Sequence, residues 1–188
     1  MMTTNKKEKL GVLIPGMGSV ASTFICGVLA CNKNLAKPVG SMTQMGSIRL
    51  GKRTEDRTPL IKDFAKTVPM KNLVFGGWDI NDENVYEIAI RSAVLEKNLL
   101  DELKADLEQI RVFKAVFDKN YVRRLNGDWI KKGKNKFDLA NQVMKDIEEF
   151  RNINGTSSNV MIWCGSTEIF MEKSDVHSDL SSFEKGLA

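Results

Sequence analysis

A turn almost without side chains separates the first apolar run of this chain from its first helical pattern. Residues 10–24 read LGVLIPGMGSVASTF. Residues 10–14 form a short continuous apolar run, as in a buried strand. Ala21, Phe24, Ile25, Val28 and Leu29 then recur at helical spacing, so residues 19–32 read as a helix. Between the two, Gly16, Gly18 and Ala21 fit G-x-G-x-x-G/A. At that spacing the first glycine makes a tight turn, and the second lets the backbone approach a pyrophosphate. The third small residue lets helix and strand pack closely. The helix N-terminus then offers N–H groups and a positive dipole end to an anion. A strand–turn–helix that binds nothing fits the same short pattern.

The rest of the chain repeats the alternation. Residues 36–44 (AKPVGSMTQ) hold a short second strand with Pro38 at its start or at an edge. Residues 45–69 are polar and irregular, with Pro59 and Pro69 as breakers and a helical turn or two at 59–66. NLVFGGWDI (72–80) is a third strand. Residues 81–110 are helical, capped by Asn81 or Asp82, with a split near Asn98 and an apolar stripe of Leu99, Leu103, Leu107 and Ile110. Residues 111–117 and 159–166 are the fourth and fifth strands. Residues 137–150 form a helix with Phe137, Ala140, Met144 and Ile147 on one face. The expected fold is therefore α/β: a Rossmann-like, mainly parallel sheet with helices on both faces.

Four strands end in Gly or Ser stretches: PGMGS (15–19), VGSMT (39–43), FGGWD (75–79) and WCGST (163–167). A parallel sheet gathers such ends along its carboxyl edge, where open α/β sheets bind ligands, although glycine also simply punctuates turns. One element is missing. An acid that bonds a ribose 2′-hydroxyl is expected about 20 residues after the glycine turn, yet residues 36–44 contain none. Asp79 is the nearest candidate. The alternative is that Arg49, Lys52 or Arg53 reads a 2′-phosphate, which would favour NADP.

Composition narrows the classes. With 188 residues, 42% of them hydrophobic, the chain has enough for one core. A net charge of +4, from 28 basic and 24 acidic side chains, is too slight to point to nucleic acid. RLGKR (49–53) and KKGKNK (131–136) lack interleaved aromatics and read as solvated surface. Cys26, Cys31 and Cys164 show no paired spacing and suit a reducing compartment, and the single His177 gives no metal site. No apolar run approaches about 18 residues and no signal-cleavage pattern follows the N-terminus. The expectation is a cytoplasmic protein without membrane or nucleic-acid partners.

Longer motifs carry a resemblance. GSMTQMGSIRLGKRTEDRTPLIKDF (40–64) followed by LVFGGWDINDENVYEIA (73–89), with STE at 166–168, resembles the myo-inositol-phosphate synthase (inositol-3-phosphate synthase) family from about Lys9 onward. That resemblance implies NAD as cofactor and glucose 6-phosphate as substrate. The sugar is oxidised, its ring is closed by an intramolecular aldol step, and the hydride is returned. It places Gly16, Met17, Gly18, Ser19, Val20 and Ala21 under the pyrophosphate and makes Asp79 the cofactor-contacting acid. Cys164, Gly165, Ser166 and Thr167 fall near the nicotinamide. It also implies an NAD-binding domain over 1–170, with the polar tail 171–188 leading toward a catalytic and tetramerisation region. The family is about twice as long, and no lysine of this chain matches its catalytic lysines. No catalytic residue is therefore expected within 1–188. The remaining alternatives are a non-catalytic NAD-binding module or inactive fragment, and another Rossmann-type NAD(P) oxidoreductase.

Overall fold

The computed structural model describes residues 8–65, 67–166 and 168–187. Four parallel strands form one sheet: β1 (Leu10–Pro15), β2 (Leu73–Asp79), β3 (Arg111–Lys114) and β4 (Ser158–Met161), in the order β3-β2-β1-β4. β1 is central, with Leu10 level with Leu73 on one side and Ser158 on the other.

Helices cover both faces, as the alternation of strands and helices requires. α1 (Ser19–Asn32) follows the glycine turn. α2 (Met42–Met45) and α3 (Ile61–Phe64) are single turns in the excursion between α1 and β2. α4 (Val85–Ser92) and α5 (Lys97–Leu107) link β2 to β3, and α6 (Lys136–Asn154) leads into β4. Residues 180–187 form α7 (Leu180–Leu187), where the sequence reads only as polar tail.

Successive strand side chains point to opposite faces. Val12, Ile14 and Phe75 therefore join one core with Ile25, Ile88, Leu100, Leu103 and Leu107 from α1, α4 and α5. Leu13, Trp78 and Phe113 turn to the other face and meet Phe150, Val143 and Ile147 of α6.

Several sequence expectations change. Residues 36–44 are not a strand: Val39 is 81% exposed, and Gly40 at φ +87° breaks the extended path after Pro38. Gly76 and Gly77 lie inside β2, paired with β1, and not past its end. A Cβ at Gly76 would fall 2.7 Å from the Phe150 ring, so this glycine lets α6 approach the sheet. The long helical stretch breaks at Ala93, in the left-handed region at φ +51°, earlier than Asn98. Its N-cap is Asn84, whose side chain accepts from Glu87 N–H while Glu87 bonds back to Asn84 N–H. On α6 the apolar stripe is rotated. Phe137 and Met144 are exposed, while Asp146 and Phe150 are buried.

Candidate functional site: the carboxyl edge between β1 and β4

The chain runs from β1 to β2 and β3 on one side, then returns to place β4 on the other side of β1. The strand order reverses between β1 and β4. In open α/β sheets that reversal opens a crevice at the carboxyl ends of the strands, where ligands bind.

Gly16 sits at that point. Its φ of +87° suits glycine, and a Cβ there would lie 2.6 Å from the backbone nitrogen of Gly165, in the loop leaving β4. Cys164 N–H donates to the Pro15 carbonyl at 2.9 Å, so the exits of β1 and β4 are tied together. The Trp78 carbonyl accepts from Gly16 N–H at 3.0 Å and from Met17 N–H at 3.3 Å, which ties the turn to β2 as well. Thus Gly16, Trp78, Asp79 and Gly165 converge, as their strand-end positions in the sequence suggest.

Gly18 is the N-cap of α1. No side chain caps this helix, and no acid occupies its first turn. Among the described residues nothing lies within 4 Å of where a Gly18 Cβ would be, so none of them crowds the helix N-terminus there. Ser19 and Val20 are exposed beside it, whereas the Met17 and Ala21 side chains are buried in the core. Those last two residues therefore face the turn through backbone alone.

A cleft of about 270 Å³ opens along the edge, lined by Gly16, Trp78, Asp79, Phe117, Gly165 and Ser166 among others. Its described lining is largely apolar and carries two ionisable groups, Asp79 and Glu168. Asp79 is 9% exposed, and its Oδ1 accepts from the backbone and side-chain nitrogens of Asn81 at 3.0 and 3.2 Å. Glu168 accepts from the Trp163 indole at 2.6 Å. Cys164 packs against the α1-side core. Thr167 lies outside the described residues.

With no strand at 36–44, β2 is the neighbour of β1, and Asp79 stands at its carboxyl end, so it remains the candidate acid of a dinucleotide site. The interval from the glycine turn is longer because residues 33–72 form an excursion outside the sheet.

One cluster escapes the sequence reading. The Trp78 indole donates to Asp146 of α6 at 2.7 Å, and Asp146 pairs with Lys131 at 2.7 Å. The side chains of Lys131 and Asp146 are 10% and 12% exposed. Lys131 belongs to the KKGKNK run, and no local pattern separates it from its solvated neighbours.

The residues at this edge suit a dinucleotide. A positive-φ glycine, open space above a second glycine and an uncapped helix N-terminus meet at a strand-order reversal. These features define a Rossmann-like nucleotide-binding domain. The family model for the NAD-binding domain of myo-inositol-1-phosphate synthase matches residues 10–188, and the chain belongs to that family. NAD is the cofactor of that domain. Inositol-3-phosphate synthase 1 of Bacteroides thetaiotaomicron is 41% identical over 180 residues, covering 95% of this chain and 41% of that protein. The Plasmodium falciparum inositol-3-phosphate synthase 1 is 29% identical over 87% of this chain and 30% of its own length. The crystal structure of inositol-3-phosphate synthase from Caenorhabditis elegans shares the fold, with a TM-score of 0.78 at 23% identity over 91% of this chain and 37% of that one. This chain thus spans less than half the length of these relatives. None of its described helices is long and apolar enough to cross a membrane.

Proposed function

We propose that this chain supplies the NAD-holding part of an inositol-3-phosphate synthase that converts glucose 6-phosphate to inositol phosphate. The observation that carries this reading is the meeting of Gly16, Asp79 and Gly165 in one cleft at the carboxyl edge, with the N-terminus of α1 starting three residues past Gly16. When bound, NAD would take a hydride from the sugar and later return it. Gly16–Ala21 would receive the pyrophosphate through backbone and helix dipole. Asp79 would accept from the ribose hydroxyls, and its charge would repel a 2′-phosphate. Cys164, Gly165, Ser166 and Thr167 would flank the nicotinamide end. The proposed domain spans 1–170, with 171–188 leading out of it. The setting we infer is cytoplasmic, in keeping with three free cysteines, within a homotetramer and away from membrane and nucleic acid.

The chain's own residues hold the cofactor without turning over the sugar. The described lining of the cleft carries no lysine or arginine to grip a sugar phosphate, and its two carboxylates are engaged by Asn81 and Trp163. General acid–base groups contribute about 10²–10⁴-fold, so residues 1–188 should produce no inositol phosphate from glucose 6-phosphate and NAD. Calorimetric titration with NAD and NADP tests the site itself. NAD should bind at least about ten-fold more tightly, a difference of about 1.4 kcal/mol, and Asp79→Asn should narrow that gap. Equal or tighter NADP binding would remove Asp79 from its role. Binding of neither cofactor would overturn the reading.

A further inference from the structure

Trp78 has two attachments at the cleft. Its carbonyl holds Gly16 N–H and Met17 N–H, and its indole N–H is held by Asp146. Asp146 is held in turn by Lys131, whose own N–H donates to the Ala115 carbonyl at 2.8 Å. Ala115 N–H donates to the Asp79 carbonyl at 3.1 Å, and Trp129 N–H donates to the Ile80 carbonyl at 2.9 Å. The segment carrying Lys131 therefore grips the end of β2 on the far side of Trp78. Trp78, Asp79, Ile80, Ala115 and Val143 all line the cleft.

A buried ion pair is not a natural stabiliser, because desolvation offsets much of its attraction, and apolar residues of similar volume often serve stability as well. What this pair does provide is direction. A carboxylate fixed by an ammonium group accepts one indole N–H at one place, and a charge-assisted hydrogen bond of that kind is short and geometrically selective.

We propose that Lys131 and Asp146 are positioning residues that act through Trp78 to set the glycine turn at Gly16 and Met17. They hold the turn against the end of β2 without touching a ligand.

The test replaces the pair by apolar residues, Lys131→Met with Asp146→Leu, and compares this variant with Leu103→Val on the opposite face. Amide hydrogen exchange is read at Gly16 and Met17, and NAD affinity by titration. Exchange at these two amides should quicken at least about ten-fold in the pair variant, beyond any change at β1 and α5 amides. NAD should bind on the order of ten-fold more weakly. Leu103→Val should change exchange evenly and leave the two turn amides unexceptional. Should the pair variant fail to fold, Trp78→Phe removes the indole N–H together with part of the ring volume, and should give the same local pattern at Gly16 and Met17 beyond the even change that volume loss produces in Leu103→Val. Unchanged protection at Gly16 and Met17 in the folded variant would overturn the proposal. The affinity measurement rests on the nucleotide reading, but the exchange measurement does not. Failure of the wild-type chain to bind NAD would therefore count against that reading and leave the exchange result to decide this one.

Discussion

On the face covered by α1, α4 and α5, Ile25, Ile88, Leu100, Leu103 and Leu107 are each at or below 1% exposure. On the β4 flank, Val160, Met161, Ile162 and Trp163 are 41–64% exposed. Both regions are apolar in sequence, and they meet at the same sheet. The first has three helices laid over it. In the second, β4 pairs with β1 alone among the described strands, and its side chains are mostly exposed. Apolar letters therefore mark a core only where other elements reach them. In this molecule the candidate ligand edge lies at the seam between the closed region and the open one.

The largest effect should come from removing volume on the closed face. Leu103→Ala should cost about 2–5 kcal/mol in urea denaturation, while Met161→Ala should stay within about 0.5 kcal/mol. Similar losses at the two sites would erase the contrast. At the seam, Gly16→Ala should cost roughly 1–3 kcal/mol. It forces a side chain into φ +87° and a Cβ to within 2.6 Å of Gly165.

Gly18→Val separates packing from binding. No described residue stands within 4 Å of a Cβ at Gly18, so stability should fall by about 1 kcal/mol or less, the cost of a poorer N-cap. NAD affinity should nonetheless drop on the order of 100-fold, or about 2.7 kcal/mol, because the branched side chain occupies the approach to the helix N-terminus. Unaltered NAD binding in this variant would move the pyrophosphate elsewhere.

The smallest effect is a pH dependence from the closed face. Burial pushes the Cys26 thiol from 9.0 up to about 11, with a backbone hydrogen bond opposing the shift. The unfolded thiol then loses its proton at a pH where the folded one keeps it. Stability from this group is full below pH 9 and declines as pH rises from 9 to 11. Cys26→Ala should flatten that part of the stability profile, and a slope that persists unchanged would assign it to other groups.

Four of the five expected strands, the glycine turn and the α1 helix were legible because each depends on residues close in sequence. Strand periodicity, helical spacing and the small residues of a tight turn are local signals. Asp79 was legible as a candidate acid, yet its place was not. A count of about 20 residues presumes a short connection, and residues 33–72 lengthen it without adding a strand. Gly76 looked like a turn glycine because the Phe150 ring that needs its space comes more than seventy residues later, and Gly77 because the Ile14 carbonyl that leaves it no room for a Cβ lies on another strand. Met144 and Phe137 looked inward-facing because helical spacing gives the stripe but not which stripe meets the sheet. Lys131 is the clearest case. Four lysines in KKGKNK are chemically alike, and only the approach of α6 to β2 buries one of them against Asp146. The sequence by itself determined the parallel α/β class and the nucleotide turn, since backbone preference and side-chain period act over a few residues. Tertiary structure alone decided where the strand order reverses, that Asp79 lines the cleft at that edge and that Lys131 is held against Asp146. Those outcomes depend on contacts between segments far apart in the chain.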